Sequence, residues 1–339
     1  MNSLKFWLSG LLLVQMALAV GLYWQYMHSS AQPPSEPLLQ SAAADIDRLI
    51  ITGSDGEATL ERSAEGWTLP GLADLPADAV KVNTMLDRLA NSATGWPVAT
   101  TASSHQRFEV GKGTFQRHVR LFHAGELAAD LLLGTSPGFR RTHLRRAGED
   151  SVYAVELNSF DFPASDGDWL DRQLLSVDDV GFIAGAEYTL EKAGDSWRLA
   201  PATPATPATP AAPAAPRDAE AGGVLDQDKA VQIASALAGL RITGVAEEMP
   251  EDVEATTLQV RAVDTDYVYH LAGNDPEYML ERSDRLQVFT ISKYDYEHIA
   301  GIGLKDLEAP ETAPPQLVEG TSDTGKPGND AANAEVNDN

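Results

Sequence analysis

The sequence predicts an α+β fold: an N-terminal transmembrane helix followed by two tandem homologous units, each a mostly antiparallel β-sheet with one main packed helix. Three observations predict it. A long apolar run lies near the N-terminus, short sequence blocks recur in the same order along the chain, and each set of blocks combines period-two stretches with one segment of helical period.

The apolar run is Phe6 to Trp24, interrupted only by Ser9 and Gln15. As a helix it spans about 28 Å, close to a bilayer core of about 30 Å. Trp7 stands near one end and Tyr23, Trp24 and Tyr26 near the other, where amphipathic rings suit membrane interfaces. Lys5 precedes the run and no Lys or Arg follows until Arg48, so residues 1–5 are expected in the cytoplasm and the remainder exported. The alternative is a cleaved secretory signal ending near Ser29-Ser30-Ala31. The run exceeds the usual apolar region of such signals, about 7–15 residues, which favours a retained signal anchor over 6–26. Residues 27–44, with Pro33, Pro34 and Pro37, are expected to form a stalk.

The two units are expected over 45–175 and 176–307. Thr59-Leu60-Glu61 recurs as Thr189-Leu190-Glu191, and Trp67 recurs as Trp197. Alternation around these residues reads as antiparallel strands with one buried face, and Asp55-Gly56 as the hairpin turn. A helix from Asp78 to Asn91 carries Val82, Met85, Leu86 and Leu89 on one stripe; its counterpart from Asp226 to Leu240 carries Ala230, Ile233, Leu237 and Leu240. Each starts at an aspartate suited to cap it. Between the second set of strands and its helix lies a Pro/Ala/Thr-rich insertion, 201–223, read as an extended surface excursion. Later blocks, from His143 and from Tyr278, pair Leu144 with Leu280, Val152 with Val288, Tyr153 with Phe289 and Phe160 with Tyr296, and both read as strands. Asp168 to Leu175 is a short linker that should leave the units packed together, and 308–339 reads as a disordered acidic tail.

The chain has 339 residues, enough for two cores, and 43% hydrophobic with 22% charged residues is globular composition. A net charge of -25 makes nucleic acid and anionic headgroups poor partners, and its plain consequence is solubility. With no cysteine, disulfides, thiolate metal sites and cysteine nucleophiles are excluded.

No motif carries a reaction. Gly111-Lys112-Gly113 lacks the rest of a phosphate loop and reads as a hairpin connection. His118 and His123 stand on opposite faces of a strand, and His105, His143, His270 and His298 are scattered, so no histidine metal pair is expected. Asp161, Asp166 and Asp168 around Gly167 lack the spacing of a calcium loop and read as a solvated turn. Arg140, Arg141, Arg145 and Arg146 could grip a carboxylate or phosphate; pairing with local acids on a solvated strand is the expectation. Trp67 and Trp197 could stack on a sugar, but a position shared by both units suits plugging of each core. No catalytic, cofactor-binding or metal residue is therefore named, and no cofactor.

Ile51-Thr52-Gly53, Leu60-Glu61-Arg62, Gly66-Trp67-Thr68-Leu69, Pro76-Ala77-Asp78, Leu89-Ala90, Leu132-Leu133-Gly134, Val152 to Val155 and Asp168-Trp169-Leu170 together resemble the bacterial domain of unknown function DUF4340, over nearly all of 45–307. The resemblance implies a single-pass protein of the bacterial envelope; with the anchor orientation read above, the expectation is the bacterial inner membrane with the C-terminal part in the periplasm. Some members are encoded beside ABC-transporter components. It implies no activity and no site residues. The expectation is a non-enzymatic scaffold or auxiliary component with a membrane transporter or envelope protein as partner. The alternatives are an envelope glycan-acting hydrolase and a small-ligand-binding module using the groove between the units.

Overall fold

A computed structural model describes residues 2–28, 36–201, 224–250 and 252–309, with side chains of the first stretch described at Trp7 and over 10–24. Most of the Pro/Ala/Thr insertion (202–223) and the tail from 310 lie outside the described residues. Among the described residues the fold is mostly antiparallel β-sheet with four α-helices.

The apolar N-terminal segment is helical, α1 (Asn2–His28), and its described apolar side chains, Leu11 to Trp24, are exposed. Among the described residues no helix is long and apolar enough to cross a membrane.

The first half contains a short pair, β1 (Glu36–Pro37) with β6 (Ala93–Thr94), and a nine-stranded sheet. The sheet's strands are β2 (Arg48–Gly53), β3 (Gly56–Ser63), β4 (Gly66–Leu69), β5 (Leu75–Pro76), β7 (Pro97–Ala99), β10 (Arg117–His123), β11 (Glu126–Leu133), β12 (Thr142–Arg146) and β13 (Val152–Val155). They lie in the order β5-β4-β3-β2-β10-β11-β12-β13-β7, and every neighbouring pair is antiparallel. A separate hairpin joins β8 (Val110–Gly111) to β9 (Thr114–Phe115). The second half forms an eight-stranded sheet from β14 (Val180–Ala184), β15 (Tyr188–Ala193), β16 (Ser196–Pro201), β17 (Ile242–Ala246), β18 (Thr256–Ala262), β19 (Thr265–Asn274), β20 (Glu277–Arg282) and β21 (Val288–Ile291). Its order is β16-β15-β14-β18-β19-β20-β21-β17. Set aside β5, and both sheets run third, second, first, fifth, sixth, seventh, eighth and fourth strand in chain order. The pairing agrees rung by rung: Leu144 faces Tyr153 and Leu280 faces Phe289.

In each half a helix follows the third strand of this order. α2 (Ala79–Asn91) buries Val82, Met85, Leu86 and Leu89, and α3 (Gln227–Ala238) buries Ala230, Ile233 and Leu237. Such burial contributes roughly 1.5–3 kcal/mol per large aliphatic side chain before ordering entropy is subtracted. The Asp78 carboxylate accepts from Lys81 N, and that of Asp226 from Asp228 N and Lys229 N, so each helix opens on a side-chain cap. The same two residues fasten each helix to the end of its half. Asp78 N donates to Trp169 O at 2.7 Å, and Asp226 N to Leu307 O at 2.8 Å.

The linker bonds to both halves. Trp169 is fully buried, Leu170 bridges Ala77, and Asp171 N donates to Pro76 O. Beyond it, Ile242 N donates to Arg172 O, and the buried guanidinium of Arg282 donates to Leu174 O and Leu175 O. One continuous apolar cluster runs through both sheets and this strap.

Four expectations need correction. The first hairpin pairs Gly53 with Gly56, so Ser54 and Asp55 form the loop rather than Asp55 and Gly56. Gly56 is needed for another reason: its φ is +144°, and a Cβ there would stand 2.9 Å from Ala164 O. Residues 36–44 are not a stalk, because Leu38 and Leu39 sink into the core and Leu38 N donates to Ser92 O. Glu308 and Ala309 belong to the fold rather than the tail, pairing with Leu225 and Val224. The segments holding Phe160 and Tyr296 are not strands. The first is a 3-10 turn, Ser159–Asp161, and the second is α4 (Lys293–Ile299), capped by Ser292, whose hydroxyl accepts from Asp295 N.

Candidate functional site

Among the described residues, the two halves differ in the segment between their fourth and fifth strands. In the second half this segment is a short loop, 247–255, whose sequence carries Glu247, Glu248, Glu251, Asp252 and Glu254. In the first half it is longer and contains a 3-10 turn, Ala102–Ser104, and the β8–β9 hairpin, which turns through Lys112-Gly113. Three devices hold it to the sheet. Val110 packs with Leu132 and Val152 in a small satellite core. Arg145, 4% exposed, donates from Nε to Val110 O at 2.6 Å. Gly134 lets the backbones meet, since a Cβ there would stand 2.0 Å from Phe108 O. That contact explains the glycine of Leu132-Leu133-Gly134.

This segment walls a cleft of about 540 Å³, lined by Ser54, Glu109, Gly113, Thr114, Phe115, Gln116, Arg117, Ser159 and Phe160. A cleft of that size suits a small ligand. Glu109 is held in the left-handed region, φ 54°, and its carboxylate accepts from Gln116 Nε2 at 2.9 Å. A non-glycine residue kept there costs on the order of 1 kcal/mol or more, so the surrounding fold fixes it. Arg117 is largely committed: it donates to Phe162 O and Gln116 O and pairs with Asp55 at 3.0 Å. What the cleft offers a ligand is hydroxyls, the Gln116 amide, the Glu109 carboxylate and the exposed Phe160 ring.

A second feature stands at the β11–β12 turn. Ser136 Oγ lies 2.7 Å from both Gly138 O and Arg141 O and fixes a tight tip. The tip presents Phe139, 88% exposed, under the guanidinium of Arg140. Arg141 donates to Ala154 O beside it. Arg107, on the inserted segment, lies over Phe108, whose ring meets the His143 ring at 4.4 Å between centroids. His143 is 8% exposed and its Nδ1 is 2.9 Å from Thr135 Oγ1. Burial, opposed by a Thr135 hydrogen bond and reinforced by the charges of Arg107 and Arg141, holds its imidazole below the ordinary histidine range.

The arginine island divides. Arg145 is not on a solvated strand among acids: it is buried and bonded to carbonyls, because it anchors the insertion. Arg146 faces Glu36 and donates to Pro37 O, while Arg140 and Arg141 reach the tip. The aspartates separate as well. Asp161 pairs with Arg88, Asp166 accepts from Thr59 N, and the Asp168 carbonyl accepts from Lys81 Nζ. His118 pairs with Asp130, and His123 Nδ1 lies 2.6 Å from Asp45 O. Trp67 and Trp197 are buried in their sheets at 4% and 5% exposure. The groove expected between the units is not where this cleft lies; it belongs to the first half alone. Sequence reading missed Arg107, Glu109, Phe139 and Phe160. Pro137-Gly138 was the available signal for Phe139, since that dipeptide marks a turn whose tip is exposed. Arg107 comes near His143 only through tertiary folding, and no local signal marks it.

No curated protein and no solved structure matches the chain. The family model described as "Domain of unknown function (DUF4340)" matches residues 67–261, from β4 to β18, more than half of the chain. The protein therefore belongs to the DUF4340 family.

Proposed function

We propose that the protein is a membrane-anchored component of the bacterial envelope: residues 6–26 sit in the inner membrane, the sheets lie in the periplasm, and the chain serves as a non-enzymatic scaffold or auxiliary component of an ABC-transporter-type system. The observation that carries this reading is α1. Leu11, Leu12, Leu13 and Val14, spaced about 100° apart around the helix, are 53–68% exposed. A helix apolar on all sides needs lipid or protein around it. The longer apolar run of the sequence, Phe6 to Trp24, supports lipid. In the same reading the two halves are tandem copies of one unit, supported by their common strand order and matched helix caps.

Alkaline extraction of membranes is the test, followed by affinity purification in mild detergent. The full chain is expected to stay with the lipid pellet and to enrich a transporter subunit over a control carrying α1 alone. Release into the alkaline supernatant removes the anchor; retention without enrichment removes the transporter association. A second reading, a small-ligand-binding module, is favoured by the first-half cleft. Glu109 is the single carboxylate among its lining residues, whereas glycoside hydrolysis ordinarily uses two, so the cleft supports binding better than hydrolysis. A thermal-shift screen would reveal a ligand as a rise in Tm.

A further inference from the structure

We infer that the tip formed by Phe139, Arg140 and Arg141, together with Arg107, docks the first sheet on an anionic phospholipid surface. This rests on the anchor reading above. Arg107, Arg140 and Arg141 are all exposed, and among the described residues none of them forms an ion pair with a carboxylate. Arg140 lies over the protruding Phe139 ring, and Arg107 and Arg141 both stand near enough to His143 to act on it, an unusual basic grouping on a chain of net charge -25. An aromatic ring flanked by cations matches the interfacial layer of an anionic bilayer, where the ring enters the headgroup region and the guanidiniums meet phosphates. The net charge opposes this only at long range. Exposed charges separated by more than about 8 Å are largely screened at physiological salt, so the local patch governs contact.

The tip is also preorganised. Ser136 closes it, and the Arg140 backbone is kept at φ 53° with Phe139 outward. Reach permits the membrane contact as well. The chain enters the first half at Pro37, whose carbonyl accepts from Arg146 at 2.6 Å. From Arg146 to Arg141 is roughly 17 Å along β12. The steps from His28 to Glu36 span at most about 28 Å, so a helix anchored in lipid leaves the tip free to reach the headgroups. The corresponding turn of the second sheet, β19–β20, carries Asp275-Pro276 with Glu277 beside them, the opposite charge.

The absence of cysteine allows one label at one site. Full-length F139C, carrying an environment-sensitive fluorophore, is reconstituted in lipid nanodiscs of phosphatidylcholine with or without phosphatidylglycerol. A second variant, L286C, labels a position that is 95% exposed on the second sheet. The label at 139 is expected to shift to the blue only in discs containing phosphatidylglycerol. The shift should be lost at high salt and in R107E/R140E/R141E, and kept in the corresponding triple lysine variant. The label at 286 should remain water-like throughout. A chain that stays out of the discs overturns the anchor and this inference with it. A chain held in the discs whose label at 139 stays water-like, or shifts equally in both lipids, overturns the docking tip and leaves the anchor standing.

Discussion

The first and second sheets share a strand order but not a surface. At the turn between sixth and seventh strands, one presents Phe139, Arg140 and Arg141 and the other Asp275, Pro276 and Glu277. Between fourth and fifth strands, one carries a hairpin pinned by a buried arginine and the other an acidic loop. The buried arginines also stand on different rungs. Arg145 of β12 stands where β20 has Glu281, and Arg282 of β20 stands where β12 has the half-buried Arg146. Each buried guanidinium fastens something specific to its own half: the inserted segment in the first, the linker in the second. A sheet held by apolar pairing leaves its loops free to change sign and length, so function is to be sought where the halves disagree.

The largest expected effect comes from cutting the second of these fastenings. Arg282 is 4% exposed and bonded to Leu174 O, Leu175 O and the Asp284 carboxylate. Arg282→Met leaves Leu174 O without its donor, Leu175 O with the Tyr269 hydroxyl alone and Asp284 without its nearest cation, and should cost about 3 kcal/mol. Arg145→Met frees only carbonyls, those of Val110, Arg146 and Glu149, and should cost about 2 kcal/mol, loosening the cleft wall more than the sheet. Urea unfolding followed by tryptophan fluorescence measures both. Equal and small losses would mean that the linker is held by its leucines alone.

A finer test uses the feature both halves keep. Asp78→Ala and Asp226→Ala each remove a helix cap and should each cost about 1 kcal/mol. Asp226 accepts two backbone N–H groups and Asp78 one, so the second substitution is expected to cost at least as much. The reverse order would show that the two helix starts are not equivalent in energy, however alike in geometry.

Much of this architecture is legible in the sequence, and the reason is local. The stripe of α2, the capping aspartates and the alternation around Trp67 and Trp197 are properties of neighbouring residues, so periodicity exposes them. The recurrence of Leu144 with Tyr153 as Leu280 with Phe289 is visible for the same reason. Arg145 is not legible. Four arginines within seven residues read as a charged surface, and only the arrival of Val110 from far along the chain buries one of them. The cleft escapes notice likewise, because the β2–β3 turn, the β8–β9 hairpin and the 3-10 turn at Ser159 meet only after folding. Leu38 and Leu39 were hidden differently. Two leucines in a proline-rich stretch give no period to detect, yet their burial ties the approach from α1 into the first core.

The smallest expected effect concerns His143, whose rung in the second sheet is occupied by Met279. Burial beside Phe108, with Arg107 and Arg141 near, keeps the folded imidazole neutral below the pH at which an unfolded histidine, with its pKa near 6.5, takes a proton. As pH falls through about 6.5 the unfolded chain binds a proton that the folded chain refuses, and stability declines. The decline stops once pH passes the lowered folded value. His143→Met grafts the second-sheet residue onto the first and removes this titration without removing apolar contact to Phe108. Wild type should therefore lose more stability than the variant between pH 7.5 and 5.5, while the two stay close at the upper end. Parallel stability curves over that interval would mean that the ring is as free to protonate in the fold as in water, and that the arginines of the tip stand too far away to be felt.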